Sequence, residues 1–442
     1  MALDTARHVR YFQRCYASIL PHHYTANDSN RLSLGYLIVA ALDLLSSPSS
    51  HTSPSATKPA SSSLLPANDK PQIRKWVLSL RHPSGGFCGS PQHVFPEVFT
   101  TGLVSKTTLP TPNHTENANV AATYFALMLL GILAGDSDED AKAIYLGVDR
   151  VATLEWLKKL QRPDGSFGEI VKEDGSIGGG RDMRYAYMAS AIRWVLGGNA
   201  GDGSLDFDVD NLVSHIRRSQ SFDGGIAESA MGESHAGYAY CAVAALSLLD
   251  LAAEDGERPY RYILAGIPDI SALVHYLVSR QFAFAGQNED EDDVENVTAD
   301  DTPISDLATL SLDDLSITGF SGRLNKVPDT CYTWWVTGAL RLLGGAFPGP
   351  TTVHSASGRE FLLQKTQHVI GGFGKHAGKP PDVLHSYLGL AALATMAGEE
   401  QEAGLGLFDF RLCIGREAAN RVKQGRNHVL ERAAEAEAEA DE

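Results

Sequence analysis

Apolar residues along this chain recur mainly at intervals of three and four positions, which is the spacing of one face of an α-helix. The clearest examples run over 118–133, 185–196 and 238–249. Few segments alternate between apolar and polar residues as a half-buried strand does. The pattern therefore predicts an all-α fold.

Glycine-containing turns separate these helical segments, and the turns resemble one another. They are HPSGGFCG at 82–89, RPDGSFGE at 162–169, SFDGGIAE at 221–228, GFSGR at 319–323 and VIGGFGKH at 369–376. Each turn is followed by a polar residue and an apolar helix, so a unit of one turn and one helix pair repeats five times. A single unit cannot bury its apolar face, whereas a closed ring of units can. We therefore expect an α–α toroid (an α/α barrel) whose helix N-termini surround a funnel-shaped central cavity.

Two segments interrupt this repeat and a third follows it. Residues 46–71 are rich in serine and proline, residues 287–315 contain the acidic run EDEDD at 289–293, and residues 431–442 form an acidic low-complexity tail. Such compositions do not support a packed core. We interpret the first two as insertions in one domain that spans residues 1–442.

Composition and charge narrow the class of protein. Of the 442 residues, 43% are apolar and 21% are charged, as in an ordinary soluble domain. The formal net charge of −17 argues against a nucleic-acid partner. Five scattered cysteines favour a reducing compartment over a disulfide framework. The N-terminus lacks the apolar core of a secretory signal, and no apolar stretch reaches the roughly 18 residues of a membrane span. We expect a cytoplasmic protein without a direct membrane anchor.

Two predicted helix starts carry residues that could hold a metal ion. Asp329 opens one helix with Cys331 in its first turn, and Asp382 opens another with His385 three residues later. One carboxylate, one thiolate and one imidazole, with a fourth position open, suit a catalytic Zn²⁺. Spacing alone does not decide this, because a lone cysteine or histidine is more often a buried core residue.

Basic and aromatic residues cluster near the same segments. Arg323 and Lys326 precede Asp329, and His235 lies in GESHAGYAYC at 232–241. Such side chains could hold a diphosphate, although loop cations are often merely solvated. Five aromatic residues could line an apolar pocket or simply pack in the core, namely Tyr187, Tyr238, Tyr332, Trp334 and Trp335.

Taken together, these segments resemble the β subunits of protein prenyltransferases over nearly the whole chain. The zinc signature of that family matches DTCY at 329–332 and Asp382-x-x-His385, so the resemblance implies one Zn²⁺ bound by Asp329, Cys331 and His385. It also implies a heterodimer with a helical α subunit. The residues that match the family's diphosphate-binding set are His235, Arg323, Lys326 and Tyr332.

Members of this family differ in the lipid that they transfer. RHVRYFQRCYASILPHHY at 7–24, DMR at 182–184 and GRLNKVPDTCY at 322–332 are most similar to the CaaX-type member that transfers geranylgeranyl. Ser33 aligns with a tryptophan that closes the lipid pocket of the farnesyl-transferring member. Leu384 and Leu388 align with larger tyrosines there, so the resemblance implies room for a fourth isoprene unit.

The same resemblance bears on cofactors and on the walls of the cavity. Lys375 stands where the farnesyl-transferring member has an aspartate that helps hold Mg²⁺, so we expect Zn²⁺ and no Mg²⁺ requirement. The residues that would line the lipid channel are Tyr187, Tyr238 and Trp335, and those that would face the peptide are Arg184, Tyr185, Asn119 and Ala121. Asn119 departs from the family pattern, which has histidine there, and this bears on the last residue of the substrate.

The implied reaction transfers geranylgeranyl from geranylgeranyl diphosphate to the cysteine of proteins ending in C-a-a-X, with X often Leu, such as small GTPases. Four alternatives remain open at this point. Two are relatives that transfer farnesyl or that act on Rab proteins. A third is a helical toroid that serves as a binding scaffold, in which Asp329, Cys331 and His385 merely pack. A terpene cyclase shares the toroid, but its acidic motif would have to be the run at 289–293, which lies in a solvated segment.

Overall fold

The structure is a computed structural model, and it describes residues 1–46, 63–91, 117–172, 174–253, 259–283, 316–347 and 353–441. The α-helices of these residues are α1 (Thr5–Ala17), α2 (Arg31–Ser46), α3 (Asp69–Ser79), α4 (Val120–Leu133), α5 (Asp138–Ala143), α6 (Arg150–Lys159), α7 (Met183–Leu196), α8 (Val209–Arg218), α9 (Ala236–Ala253), α10 (Arg261–Gly266), α11 (Ile270–Val278), α12 (Thr330–Leu343), α13 (Ser355–Phe361), α14 (Val383–Ala397) and α15 (Arg416–Asp441). A π-helical turn, Leu362–Thr366, extends α13, and 3₁₀ segments cover His22–Asn30 and Gly398–Glu400.

The strands in the described residues are two or three residues long and form antiparallel pairs. They are β1 (Ile170–Val171) with β2 (Ile177–Gly178), β3 (Gln281–Ala283) with β4 (Thr318–Phe320), β5 (Phe373–Gly374) with β6 (Pro381–Asp382), and β7 (Phe408–Asp409) with β8 (Ile414–Gly415). These pairs lie in the connections between helices. The all-α prediction is confirmed, because the core is made of helices.

Six apolar helices form a closed inner ring. In the order α2, α4, α7, α9, α12 and α14, each packs against the next, and α14 packs against α2. Most of their residues are buried. Our count of five repeated units was therefore one too few. The pair α1–α2 was missed because a 3₁₀ segment, His22–Asn30, and not a glycine turn leads into α2.

The last glycine turn contacts the first helix, and this contact closes the ring. A Cβ on Gly371, whose φ is +89°, would lie 2.3 Å from the backbone oxygen of Arg7 in α1, so only glycine fits. His8 of α1 is buried where the helix meets this turn. Its Nδ1 accepts a hydrogen bond from the Gly372 N–H at 3.1 Å, and its Nε2 lies 3.0 Å from Gln367 Oε1. The ring thus joins residues that are more than 350 positions apart.

The polar residue that follows each glycine turn caps an inner helix. The side chains of Asn119, Asp182, Asp329 and Asp382 accept hydrogen bonds from backbone N–H groups in the first turns of α4, α7, α12 and α14. His235 does the same for α9 through Nδ1, which accepts from the Gly237 N–H at 3.0 Å. These caps explain why polar residues occur at regular places in an apolar sequence. They also bring the first turns of the inner helices to one end of the ring.

A loop at residues 410–413, between β7 and β8, binds the inner helices through tyrosine hydroxyls. Five tyrosines, each from a different inner helix, donate to its backbone carbonyls; they are Tyr36, Tyr124, Tyr187, Tyr240 and Tyr387. Trp334 takes the equivalent position in α12. Arg411 also donates to Ser247, in the second half of α9, so the loop lies deeper in the ring than the caps. We call residues 410–413 with these tyrosines the floor of the ring.

The predicted insertion at 287–315 lies outside the described residues, as does most of that at 46–71, although α3 begins at Asp69 within it. The acidic tail continues α15 as helix up to Asp441. A single domain over the whole chain stays a prediction.

Candidate metal centre and substrate site

Three side chains from two neighbouring inner helices meet at the capped end of the ring. Asp329 is the N-cap of α12, Cys331 lies in the first turn of that helix, and His385 lies in the first turn of α14. One potential ligand atom from each lies within 4.8 Å of the other two. His385 Nε2 is 3.3 Å from Asp329 Oδ1. The fold thus brings together residues that are distant in the sequence.

Backbone contacts hold these two helix starts side by side. The Thr330 N–H donates to Lys375 O at 2.9 Å, and its hydroxyl donates to Gly374 O at 2.6 Å. The turn before α14 is therefore bound to the first residue of α12. In β6, Asp382 pairs with Phe373, which fixes the start of α14 against the same turn. The positions of the three candidate ligands follow from this junction.

Asp382 orients His385. Its Oδ1 accepts from the His385 backbone N–H at 2.9 Å, and its Oδ2 accepts from His385 Nδ1 at 2.6 Å. Nδ1 is thereby engaged, and Nε2 is left to face Asp329. A carboxylate on the far nitrogen of a ligating histidine fixes its orientation and makes it a better ligand. The sequence predicts Asp382 as a helix start and not as the partner of His385, because the bond depends on the histidine rotamer.

The electrostatics of the cluster suit a cation. Burial lowers the pKa of His385, but hydrogen bonds and charge from Asp329 and Asp382 outweigh it and raise the pKa to about 9. Burial raises the pKa of Asp329, yet the hydrogen bond and charge of His385 hold it below its ordinary value. For Cys331, burial and the negative charge of Asp329 raise the pKa well above that of a free thiol. A divalent cation would relieve this conflict by favouring the thiolate.

The donor set fits zinc. One carboxylate oxygen, one sulfur and one imidazole nitrogen are ligands that Zn²⁺ accepts together, and three protein ligands leave a fourth position for a substrate atom. A hard cation such as Mg²⁺ prefers oxygen alone. Among the described residues, no other group of three or more potential metal ligands lies as close together.

The predicted diphosphate-binding residues lie on the adjoining helix starts. His235 donates from Nε2 to the Tyr332 hydroxyl at 2.9 Å, because its Nδ1 already accepts from the backbone of α9. Burial, with help from the positive charges of Arg323 and Arg184, lowers the pKa of His235 to about 4. Arg323 forms an ion pair with Glu233 at 2.7 Å, at a partly exposed position. Lys326 is exposed in the same loop.

Lys375 is exposed beside the candidate metal centre. Its positive charge reaches Cys331, where it partly offsets the effect of burial on the thiol. The backbone of Lys375 is held by Thr330, so its side chain starts at the edge of the cluster. The structure thus places a cation close enough to act on the sulfur of Cys331.

The residues predicted to line the lipid channel divide into two groups. Tyr238 and Trp335 are partly exposed, with the Tyr238 ring 4.9 Å from that of His235 and the Trp335 ring 5.2 Å from that of Tyr240. Tyr187 is only 4% exposed and belongs to the floor, where its hydroxyl donates to Arg411 O at 3.0 Å.

Ser33 and Leu384 lie at the capped end of the ring. Each stands three residues before the floor tyrosine of its helix, as Cys331 stands three residues before Trp334. All three are therefore in first turns and at a similar level. Ser33 is partly exposed and Leu384 is 45% exposed, whereas Leu388, one turn deeper, is buried.

The predicted peptide-facing residues are mostly engaged with neighbours. The Asn119 side chain is buried and caps α4, accepting from Ala122 N at 2.7 Å. Arg184 pairs with Asp182 at 2.6 Å, and the Tyr185 hydroxyl donates to Glu169 at 3.2 Å. Ala121 is partly exposed in the first turn of α4. The structure puts all four at the capped end of the ring.

Comparison with known proteins identifies the family. The family model described as the prenyltransferase alpha-alpha toroid domain matches residues 3–422. The chain belongs to this family. The toroid predicted from the sequence and observed in the ring of helices is the fold that the family shares.

Individual relatives cover most of the chain. The geranylgeranyl transferase type-1 subunit beta of Arabidopsis thaliana is 29% identical over 412 residues, covering 89% of this chain and 85% of the relative. The same subunit of Dictyostelium discoideum is 27% identical, covering 87% and 88%. The protein farnesyltransferase subunit beta of Schizosaccharomyces pombe is 23% identical, covering 90% and 79%.

A solved structure shares the fold. The Candida albicans protein geranylgeranyltransferase-I complexed with GGPP matches with a TM-score of 0.69 and 24% sequence identity, over 96% of this chain and 99% of the other. Separately, none of the helices in the described residues combines the length and the hydropathy that crossing a bilayer requires.

Proposed function

We propose that this chain is the β subunit of a protein geranylgeranyltransferase type I, which joins geranylgeranyl to the cysteine of proteins ending in C-a-a-X. This proposal rests on the cluster of Asp329, Cys331 and His385, which lies at the capped end of a prenyltransferase toroid. The names of the two type-1 relatives support the choice of lipid.

In this proposal Asp329, Cys331 and His385 hold Zn²⁺, and Asp382 holds the imidazole in place. The zinc would bind the sulfur of the substrate cysteine and lower its pKa, so that a thiolate is present at neutral pH. Residues of this chain then fix the lipid diphosphate so that its first carbon faces that sulfur. His235 keeps the Tyr332 hydroxyl in place for contact with the diphosphate.

Positive charge stabilises the leaving group. As the bond between the first carbon of the lipid and the diphosphate breaks, negative charge gathers on the diphosphate oxygens, and in this proposal Arg323, Lys326 and Lys375 supply the positive charge that stabilises it. Lys375 would replace part of the charge that Mg²⁺ supplies elsewhere, so magnesium should not be needed. An α subunit would complete the enzyme as its partner. The five free cysteines favour a cytoplasmic location.

Co-expression with an α subunit and transfer to a peptide ending in C-a-a-L test this proposal, with zinc present and magnesium chelated. Competition between the two lipid diphosphates should favour geranylgeranyl diphosphate. Cys331→Ala should abolish transfer without dissociating the heterodimer. Cys15→Ala is the matched control, since Cys15 is also a partly exposed free cysteine but lies outside the cluster. Transfer by Cys331→Ala at the wild-type rate would exclude the proposed zinc mechanism.

The choice of lipid has its own test. Ser33→Trp should narrow the space across the ring and shift the preference towards farnesyl diphosphate, whereas Ser33→Ala keeps the space open and should not. The ratio of kcat/KM values for the two lipids measures the shift. An unchanged ratio in Ser33→Trp would place the end of the lipid elsewhere. If the protein modifies Rab proteins only when an escort protein is present, and modifies no free peptide, it is the Rab-directed relative.

A further inference from the structure

The inner helices are anchored at their starts by the repeat that follows in the ring. In α2, α4, α9 and α12, a backbone N–H of the first turn donates to a backbone carbonyl in the next glycine turn at 2.9 to 3.0 Å; the pairs are Leu32 with Gly89, Val120 with Glu169, Ala236 with Gly322, and Thr330 with Lys375. Just before α7, the Arg181 N–H donates to the side chain of Glu228 in the next turn at 2.8 Å. Each glycine turn therefore holds the start of one inner helix.

The last inner helix, α14, is anchored differently, because the repeat that follows it in the ring is the first one. Its first N–H, that of Val383, donates to the hydroxyl of Tyr24 at 2.8 Å. Tyr24 belongs to the 3₁₀ segment His22–Asn30, which takes the place of a glycine turn before α2. A side chain 359 positions away thus supplies the acceptor that a backbone carbonyl supplies for most of the other inner helices.

The bond from Val383 to Tyr24 acts on the peptide group that follows Asp382. Asp382 is the N-cap of α14, and its two carboxylate oxygens accept from the backbone N–H and the Nδ1 of His385. Val383 is 1% exposed, so its N–H is shielded from water. Without the Tyr24 hydroxyl, a buried donor would lose its partner next to the carboxylate that orients His385.

The contacts of α14 with α12 do not replace this bond, because they hold the other side of the helix start. In β6, Asp382 pairs with Phe373, and the Thr330 hydroxyl of α12 donates to Gly374 O at 2.6 Å. Tyr24 supplies the contact on the side of α2, which is the other neighbour of α14 in the ring. The start of α14 is therefore held from both sides.

We propose that Tyr24 is a positioning residue of the metal centre, which fixes the start of α14 and through it the orientation of His385. The inference rests on the proposed function for the zinc ion, but not for the bond between Tyr24 and Val383. Asp329 and Cys331 are held at the start of α12, whereas His385 approaches them from α14. The assembly of the three ligands therefore depends on how firmly the start of α14 is held.

Zinc affinity of the heterodimer without substrates, measured by competition with a chromophoric chelator, tests this role. Tyr24→Phe keeps the aromatic ring and removes the hydroxyl. Burial raises the pKa of Tyr24 to about 12, so at neutral pH the lost bond is one between uncharged groups. Zinc should bind about 3-fold to about 10-fold more weakly in this variant, which is the range expected for one neutral hydrogen bond.

Tyr16→Phe is the matched control. The Tyr16 hydroxyl, which is also partly buried, donates to Asp69 Oδ2 of α3 at 2.7 Å. Both variants should lose some stability in urea, but only Tyr24→Phe should lose zinc affinity. Hydrogen exchange of a peptide that covers residues 380–388, measured on zinc-free protein, should be faster in Tyr24→Phe and unchanged in Tyr16→Phe.

The outcomes separate this inference from the proposed function. Wild-type zinc affinity in Tyr24→Phe, or an equal loss of affinity in Tyr16→Phe, would overturn the inference and leave the zinc centre intact. If the wild type binds no zinc, the proposed function fails and hydrogen exchange decides whether Tyr24 fixes α14. Faster exchange at 380–388 in Tyr24→Phe would then support that role, and unchanged exchange would overturn it.

Discussion

Removing one tyrosine hydroxyl from the floor of the ring should loosen the loop at 410–413. The Tyr240 ring is fully buried, and its hydroxyl donates to Phe410 O at 2.8 Å. Tyr240→Phe keeps the ring and removes this bond. A lost neutral hydrogen bond costs about 1 kcal/mol, rising to about 3 kcal/mol when the acceptor stays unsatisfied. Local opening of the loop should therefore become about 5-fold to about 100-fold more frequent.

The structure also predicts an order among the floor tyrosines. Cys413 O accepts from two hydroxyls, those of Tyr36 at 2.5 Å and Tyr387 at 2.6 Å. Tyr387→Phe leaves that carbonyl with one donor, so its effect should be smaller than that of Tyr240→Phe. Tyr145→Phe is the control, because its hydroxyl is buried away from the loop and lies 3.5 Å from Leu127 O.

Hydrogen exchange of a peptide that covers residues 408–415, followed by mass spectrometry on the intact heterodimer, measures this opening. Exchange should be fastest in Tyr240→Phe, intermediate in Tyr387→Phe and unchanged in Tyr145→Phe. Equal exchange in Tyr240→Phe and Tyr145→Phe would refute the role given to the hydroxyls. Global unfolding is a poorer probe, since the loop is a small part of the molecule.

Three further predictions concern the metal ligand, the seam of the ring and a turn. Asp382→Asn should weaken zinc binding by about 10-fold to 100-fold in a chelator competition, because it disturbs the orientation of His385, whereas Asp208→Asn, at the N-cap of α8, should not. Burial lowers the pKa of His8 from 6.5 to about 4, so as the pH falls the unfolded chain takes up a proton before the folded chain does. The free energy of unfolding should therefore decrease as the pH drops from about 6.5 towards 4. Over this range the urea midpoint of the wild type should fall more than that of His8→Asn. Gly165→Ala should destabilise the protein by more than Gly175→Ala in urea unfolding. Both glycines have positive φ, but only a Cβ on Gly165 would meet a backbone oxygen, at 2.0 Å from Asn211 O. An equal loss of stability in the two variants would show that the contact relaxes.

Most of the fold follows from local patterns. Helical spacing of apolar residues predicted the inner helices, and the similar glycine turns predicted the ring. The first pair escaped because a 3₁₀ segment and not a glycine turn leads into α2. The contact of α1 with the last turn through His8 joins the two ends of the chain, and no local pattern shows it. The floor residues carry a sequence signal of their own. Tyr124, Tyr187, Trp334 and Tyr387 each stand five residues after an N-cap.

The site was predictable only in part. Asp329, Cys331 and His385 were singled out by residue type and by resemblance, but their approach depends on the packing of α12 against α14. Tyr187 was predicted to line the lipid channel, and the structure shows its hydroxyl bound to the floor loop.

The zinc content of the purified heterodimer tests the central claim most directly. We predict one zinc per copy of this chain in the wild type and in Cys15→Ala, and none in Cys331→Ala, with X-ray absorption showing sulfur, nitrogen and oxygen around the metal. A wild-type protein without zinc, or a Cys331→Ala protein that keeps it, would contradict the account.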